Sequence, residues 1–338
     1  MGTQELKTDG SPRELLTLGN YNAHYIDTGN GARPGGDESS DVNYGNLTVN
    51  YAFDWAVLTS ASSIVEGDNT QNTWFFLTST GIFAPAFNPT TTTTDIFSQE
   101  LRLASTLDGP VQFIAGLFYE DVQQDTSFEG VNLFNDPQLL FGGELGLDYQ
   151  QKAFFGEVSY QFNDVWELTL GARHFDYDRT DTSQVRPSFF AGANPTQQPD
   201  VATGQTGDLF KANLSFTPND NTLLYAQVSE GFRLGRGQRL PQLDQCDVNN
   251  DGLLDHTEGV LTTRVDADTT ENFELGGKFT LLDNRLTLNT AIFRVDWSNL
   301  PVSIENTTDA CPKLTAITNN LGEARSEGVE LEGSFAVT

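Results

Sequence analysis

A run of twelve residues in the second half of the chain has oxygen-bearing side chains at the spacing of a calcium-binding loop. The run Asp247 to Glu258 reads D-V-N-N-D-G-L-L-D-H-T-E and matches the pattern D-x-[DN]-x-[DN]-G-x5-E throughout. The expected ligands are Asp247, Asn249, Asp251, the backbone carbonyl of Leu253, Asp255 acting through water, and a bidentate Glu258. Clustered carboxylates repel one another unless a hard cation lies between them. The sequence therefore predicts a bound Ca²⁺ with a structural role.

The flanks of this run do not have the sequence of helices. Gly235, Gly237 and Pro241 precede it and Gly259 follows it. We therefore expect a calcium loop inserted at about 244–260 in a longer loop of another architecture, and not a paired helix–loop–helix sensor. The alternative is an acidic, solvated loop that matches the pattern by chance.

The two cysteines of the chain are Cys246, beside the calcium motif, and Cys311, in the next long polar stretch. Both are expected on the outer side of the protein, where an oxidising environment preserves disulfides. A bridge between them would tie two neighbouring loops together. Two unpaired thiols are the alternative.

Known catalytic arrangements do not occur in the sequence. We find no nucleophile elbow, no phosphate-binding glycine loop and no Cys-x-x-Cys motif. Carboxylates such as Glu327 and Glu330 are interpreted as wall or loop charges. Four cations, Arg173, Lys211, Arg233 and Lys278, are candidates for lining an interior or its mouth. We therefore expect no enzymatic activity.

The elements that would position these residues are β-strands. Apolar residues alternate with polar ones, as in Phe210, Ala212, Leu214 and Phe216, and sustained helical spacing is not found. The alternation predicts about twelve strands, at 13–27, 44–53, 56–66, 95–107, 110–122, 148–162, 165–180, 207–217, 222–232, 269–281, 285–297 and 325–337.

Short and long connections alternate along these strands. Tight turns are expected near residues 54, 108, 164, 219 and 283, and long polar loops lie between them. In an antiparallel up-and-down sheet all short turns then lie at one end, as in transmembrane β-barrels. Aromatic residues flank the tight turns and suggest an interfacial girdle, formed by Tyr51, Phe53, Trp55, Tyr160, Phe162, Trp166, Phe216 and Tyr225. Ordinary core aromatics near strand ends, in a soluble sandwich, are the alternative.

Composition excludes several other classes of protein. The 338 residues include 18 Lys and Arg against 47 Asp and Glu, for a formal net charge of −29. Nucleic-acid binding requires clustered cations, so no nucleic-acid partner is expected. No apolar run is long enough for a transmembrane helix.

Four segments resemble recurrent pieces of the barrel of TonB-dependent outer-membrane receptors, in the expected order. They are FSQELRLAS at 97–105, VQFIAGLFY at 111–119, LLYAQVSEGFR at 223–233 and NLGEARSEGVELEG at 320–333. The resemblance covers the chain from about residue 40 to its end. It implies an outer-membrane active transporter of a Gram-negative bacterium, with the membrane lipid around it and a scarce small-molecule nutrient as substrate. A ferric siderophore is the default substrate, and the TonB energy-coupling protein would act through a plug domain.

Residues 1–338 are expected to form one partial barrel domain with long extracellular loops. The twelve or so strands would belong to a larger barrel of about 22 strands. A plug domain and the C-terminal strands are expected to be missing from the chain, as in an internal piece of a receptor. The alternative function is a secreted, calcium-stabilised β-sheet binding protein, either an adhesin or a carbohydrate-binding module.

Overall fold

The computed structural model describes residues 4–7, 21–24, 37–77, 84–132, 138–189, 191–195, 199–238, 264–305 and 316–337. All regular structure in these ranges is β-strand. Thirteen strands form one sheet and two short strands form a second sheet. Within the described ranges, no helix has the length and apolarity required to cross a bilayer.

The strands of the large sheet are neighbours in the order in which they occur in the chain, except that β11 and β12 are not part of it and form the second sheet. The strands are β1 Gln4–Lys7, β2 Tyr21–His24, β3 Asp37–Ala52, β4 Ala56–Leu77, β5 Ala84–Ser105, β6 Val111–Asn132, β7 Gln138–Asn163, β8 Trp166–Val185, β9 Val201–Asn219, β10 Thr222–Arg233, β11 Arg236–Gly237, β12 Arg264–Val265, β13 Asp268–Leu281, β14 Leu286–Glu305 and β15 Ala316–Phe335. Every neighbouring pair from β2 onward is antiparallel. The all-β, antiparallel up-and-down prediction is therefore confirmed.

The first strand pair differs from this pattern. β1 and β2 have four residues each and run parallel to one another. A single strand at 13–27 was predicted, but only 21–24 of that range is described as strand. The other eleven predicted strands each correspond to one of the eleven long strands, β3 to β10 and β13 to β15.

All five tight turns lie where the sequence predicts them. They join β3 to β4, β5 to β6, β7 to β8, β9 to β10 and β13 to β14. At the last of these, Leu282, Asp283 and Asn284 have φ values of 55–66°. Asn and Asp tolerate this left-handed conformation better than most residues.

The strands are longer than predicted. β4 and β5 remain paired to Leu77 and Ala84, far into a stretch expected to be loop. Backbone ladders do not require apolar side chains, and the Thr91–Thr94 run pairs with 124–127 of β6 although both segments are polar. Alternation disappears where both faces of a sheet are wet, so the predicted strands ended too early.

The large sheet has one apolar face. A register row crosses six strands through Phe113, Val158, Leu170, Ala212, Val228 and Phe273. Two neighbouring side chains of this row, Val158 and Leu170, are 50% and 53% exposed. Apolar side chains left exposed in a continuous band are the pattern of a lipid-facing surface. We call this face the outer face and the opposite one the inner face.

Aromatic residues gather at the turn end of the outer face. The rings of Tyr160 and Phe162 lie 5.0 Å apart, and those of Trp166 and Phe216 lie 4.5 Å apart. Tyr225 was predicted for this girdle, and that prediction is wrong. It lies on the inner face, where its hydroxyl donates to Glu274 at 2.5 Å.

Candidate ligand-facing site on the inner face

An ion pair crosses the middle of the inner face. Lys211 Nζ of β9 lies 3.1 Å from Glu157 Oε1 of β7, with β8 between them. The residue in between, in register with both, is Gly171. A Cβ atom at Gly171 would lie 3.0 Å from Glu157 Cγ, so the absence of a side chain there opens the space for the pair.

The four cations singled out in the sequence share the inner face. Besides Lys211, Arg173 lies over the Phe118 ring at 5.3 Å, and Arg233 lies over the Trp297 ring at 5.0 Å. Lys278 of β13 is exposed, and it lies on the inner face because it is an odd number of residues from Phe273 of the outer-face row. The inner face of an otherwise acidic chain is therefore the side on which these cations are gathered.

An aromatic cluster lies beyond the apolar band, on the loop side of β7 and β8. Its buried members include Tyr149, Phe175 and Tyr177, with Phe232 packed against them. The rings of Phe175 and Phe232 are stacked 3.8 Å apart. β10 pairs with β9 only as far as Ser229, which lets Phe232 turn toward β8.

The chain that leaves this cluster folds across the inner face. Residues 234–238 and 264–267 follow β10 and precede β13, and β11 pairs with β12 between them. We call these two segments the strap. The strap contacts β8 and β9 at one end and β15 at the other, so it bridges non-adjacent strands of the sheet.

At β8 the strap is held by one buried and one partly buried hydrogen bond. The Gly235 N–H donates to the Tyr177 hydroxyl at 2.9 Å, and the Gly237 N–H donates to Asp181 Oδ2 at 2.7 Å. Burial raises the pKa of Tyr177, and the bond from Gly235 acts in the opposite direction. Arg179 makes a bidentate pair with the same Asp181 carboxylate, at 2.6 and 2.8 Å, which holds it in position.

At β15 the strap is held by two side-chain amides. Gln238 donates to the Thr318 carbonyl at 2.7 Å and accepts from the Thr318 N–H at 3.0 Å. Asn320 makes the corresponding pair with the backbone of Asp266, at 2.9 and 2.8 Å. Each side-chain amide thus makes the two hydrogen bonds that the backbone of one residue in a neighbouring strand would make.

The strap is closed at its base by an ion pair. Arg233 and Asp268 are the last register partners of β10 and β13, and Arg233 Nη2 lies 2.5 Å from Asp268 Oδ2. The Asp268 side chain is 2% exposed, whereas that of Arg233 is 57% exposed. A buried carboxylate requires such a partner, and more than half of the Arg233 side chain stays exposed.

Sequence analysis did not identify the residues that hold the strap, namely Tyr177, Asp181, Gln238 and Asn320. Their contacts join positions 54 to 80 residues apart, so no local spacing indicates them. The predicted calcium ligands (Asp247, Asn249, Asp251, Leu253, Asp255 and Glu258) and the two cysteines, Cys246 and Cys311, lie outside the described residues. In the part of the chain that the structure describes, no group of three or more His, Cys, Asp or Glu side chains is placed to hold a metal ion.

Comparison with known proteins agrees with this architecture. The family described as "TonB dependent receptor-like, beta-barrel" matches residues 3–337. A curated relative, the probable TonB-dependent siderophore receptor PiuA of Acinetobacter baumannii, is 28% identical over 171 residues. That match covers 49% of this chain and 19% of the relative.

Solved structures of two receptors and a transporter have the same fold. The ferric yersiniabactin uptake receptor FyuA of Yersinia pestis has a TM-score of 0.69 at 16% identity, over 90% of this chain and 41% of that one. The siderophore receptor PiuA of A. baumannii and the copper transporter OprC each have a TM-score of 0.61, at 17% and 13% identity, and each match covers 90% of this chain and 45% of the other. The chain thus spans less than half the length of these proteins.

These relatives are named as receptors and transporters, which agrees with the expectation of a non-enzyme and does not favour a secreted adhesin or carbohydrate-binding module. The family match extends over nearly the whole chain, and the up-and-down strand order agrees with the barrel that the family model describes. The chain therefore belongs to the TonB-dependent receptor family, whose β-barrel it matches.

Proposed function

We propose that this chain forms part of the barrel wall of an outer-membrane receptor, and that the receptor takes up a ferric siderophore in a Gram-negative bacterium. The observation that carries the proposal is the division of one sheet into an apolar outer face and a charged inner face that the strap bridges. The outer face suits membrane lipid, and the inner face suits the path of a polar ligand. The curated relative that bears the name of a siderophore receptor supports this substrate class.

The inner face has groups that suit an iron chelate with anionic and aromatic parts. Arg173 and Arg233 each lie over an aromatic ring, which presents a cation beside an apolar surface. Guanidinium groups bind carboxylates and other planar anions through several N–H donors. Copper ions, the cargo in the name of one solved structure, would more naturally use thioether, thiolate or imidazole ligands.

Energy for uptake would come from the TonB protein, acting on a plug domain inside the completed barrel. The inner face described above is the surface that such a plug would meet. Coupling, plug and substrate are properties of the whole receptor, of which this chain spans a part.

The test is growth of the host bacterium without the gene that encodes this sequence. We expect loss of growth in iron-limited medium when a ferric siderophore is the iron source, and normal growth on free ferrous iron. Cobalamin-dependent and copper-dependent growth are measured in parallel. Loss of either of these, with normal siderophore-dependent growth, would assign a different cargo to the receptor.

A calcium ion in the long loop between β10 and β13 is a separate proposal. It rests on the complete match at Asp247–Glu258. The pairing of Gly237 with Arg264 supports it, because the two ends of the intervening segment are held together. A Cys246–Cys311 disulfide likewise stays a prediction, and non-reducing mass spectrometry of peptides tests it directly.

A further inference from the structure

We infer that Phe155 of β7 and Arg173 of β8 form a subsite on the inner face for one aromatic ring that bears a carboxylate. The inference rests on the proposed function in one respect, that the inner face is the path of the ligand. It specifies the part of the ligand that this wall recognises. That part is an aryl carboxylate, as distinct from an aliphatic acid or a neutral ring.

Arg173 is a partly buried cation without a carboxylate partner. Lys211, Arg179 and Arg233 each have a carboxylate oxygen at 2.5 to 3.1 Å. For Arg173, by contrast, the described part of the chain provides no ion pair and no hydrogen bond to the guanidinium. A charge that is partly withdrawn from water is costly unless it is paired. The guanidinium is therefore available to an anion from outside the wall.

The acidic side chains around Arg173 do not neutralise it. Glu157 belongs to the ion pair with the neighbouring lysine described above. Glu100 lies 3.8 Å from Arg102 on its own strand. Glu120 of β6 interacts with the charge of Arg173, but the two groups do not form an ion pair. An incoming carboxylate thus has no competitor in contact with the guanidinium.

The position of the guanidinium is set by the Phe118 ring, which lies 5.3 Å away on the far side of β7. On β7 the register partner of Phe118 is Ala153, whose small side chain leaves room for Arg173 to reach across the strand. A guanidinium that lies over an aromatic ring keeps the N–H groups at its edge available. Such an edge binds a carboxylate through two parallel hydrogen bonds.

The Phe155 ring lies directly beside this cation, since Phe155 is the register partner of Arg173. Side chains that are directly opposite on neighbouring strands have Cβ atoms about 5 Å apart. The Phe155 ring lies over Gly116 and is only partly buried, and no other aromatic ring of the described residues is stacked on it. Phe175, by contrast, is covered by the Phe232 ring at 3.8 Å. Phe155 therefore provides an uncovered aromatic surface next to Arg173.

Together the two side chains fit a ring and its carboxylate. The ring would stack on Phe155 while the carboxylate accepts from Arg173, and the other register partner of Arg173 is the apolar Leu209. An aliphatic acid would lose the aromatic stacking. A neutral amide would lose the charge-assisted hydrogen bonds. The subsite should therefore discriminate by both ring and charge.

The experiment is a fluorine NMR titration of 4-fluorobenzoate with the whole chain in detergent micelles, with empty micelles as the blank. Arg173→Gln removes the anion contact, and Phe155→Leu removes the ring but keeps the charge. Arg285→Gln is the matched control, because Arg285 also lies over an aromatic ring, that of Phe335, at 5.3 Å, but in the turn between β13 and β14. Competition in the parent chain uses benzoate, acetate, cyclohexanecarboxylate and benzamide, so that one arm needs no variant.

We expect saturable binding in the parent and an unchanged dissociation constant in Arg285→Gln. The dissociation constant should rise about tenfold in Arg173→Gln and about fivefold in Phe155→Leu. In the parent, benzoate should displace the probe about tenfold better than each of the other three competitors.

Three results would overturn the inference. One is the absence of saturable binding in the parent, and another is parent-like binding in Arg173→Gln. The third is equal displacement by acetate and benzoate, because the carboxylate of a protein side chain would then suit the site equally well. The probe contains no iron, so this titration and the growth test fail independently. Binding without siderophore-dependent growth would leave the subsite in a receptor for another cargo, whereas such growth without binding would overturn the subsite alone.

Discussion

The ring of Phe155 on β7 lies over Gly116, its register partner on β6, so closely that a Cβ at Gly116 would overlap the ring. The same relationship joins Phe175 to Gly207, and the Phe293 ring lies over Gly328 with slightly more room, 3.1 Å from an added Cβ. A ring that lies on a glycine stays close to the sheet and leaves the interior open. Aromatic side chains thereby cover the backbone of the inner face at glycine positions.

Gly116→Ala should therefore destabilise the sheet. We expect the free energy of unfolding to fall by about 1–3 kcal/mol, because the added methyl group displaces the Phe155 ring. Urea unfolding in detergent, followed by tryptophan fluorescence, measures it. Gly45→Ala is the control, because a Cβ at Gly45 meets no atom within 4 Å. Equal losses in the two variants would show that the ring contact is not the cause.

The assignment of the outer face is tested by a charge at Leu170. Leu170→Arg should lower the free energy of unfolding in lipid vesicles by about 2–4 kcal/mol, the cost of a cation on a lipid-facing strand. Thr169→Arg, one residue earlier, faces inward and should cost only about 1 kcal/mol for its lost bond to Ser159. A larger loss of unfolding free energy for Thr169→Arg than for Leu170→Arg would show that the outer and inner faces have been assigned the wrong way round.

Arg186 connects three neighbouring segments beyond the apolar band. Its guanidinium forms ion pairs with Glu129 of β6 and, at 2.7 Å, with Glu144 of β7. The backbone N–H of Arg186 donates to the Gly142 carbonyl. Arg186→Gln should lower the free energy of unfolding by about 1 kcal/mol, with a smaller loss in high salt. Arg102→Gln, whose pair with Glu100 is exposed and 3.8 Å long, should have no measurable effect.

Asp296 should make stability depend on acid pH. It lies four residues beyond Ile292, an exposed apolar residue of the outer face, and hydrogen bonds from Arg294 and Arg325 lower its pKa. A carboxylate with a lowered pKa stabilises the folded state above its unfolded pKa of about 3.9 and loses this contribution as pH falls through the folded value.

Asp296→Asn should therefore be less stable than the parent at neutral pH and lose less stability on acidification. Urea unfolding at a series of pH values measures both effects. Asp283→Asn, in the exposed turn between β13 and β14, is the control. An acid dependence that is the same in parent and Asp296→Asn would contradict the prediction.

The calcium loop makes a direct prediction about binding. Chelator-treated chain should bind one Ca²⁺ per molecule in isothermal titration calorimetry, and Glu258→Gln should abolish binding because it removes the bidentate ligand. Asp244→Ala, an acidic residue outside the motif, should bind as the parent does. Retained binding in Glu258→Gln would assign the ion to other carboxylates.

Sequence alone determined the fold class, the five tight turns and which face of most strands is apolar. These features depend on local patterns, because side chains alternate along a strand and turn residues set the backbone angles. Phe210 to Phe216 on β9 illustrate this, since their alternation already identified the outer face. The family followed from short segments on such strands.

Tertiary structure alone decided which residues meet. The Glu157–Lys211 pair depends on the register of three strands and on a glycine in the middle one. Tyr225 faces inward because the register of β10 places it over Gly276 of β13, although its position beside a turn suggested a girdle. The strap depends on contacts up to 80 residues apart in sequence. Long-range contacts follow from ladder register and from the path of a loop, and neither is encoded in the spacing of nearby residues.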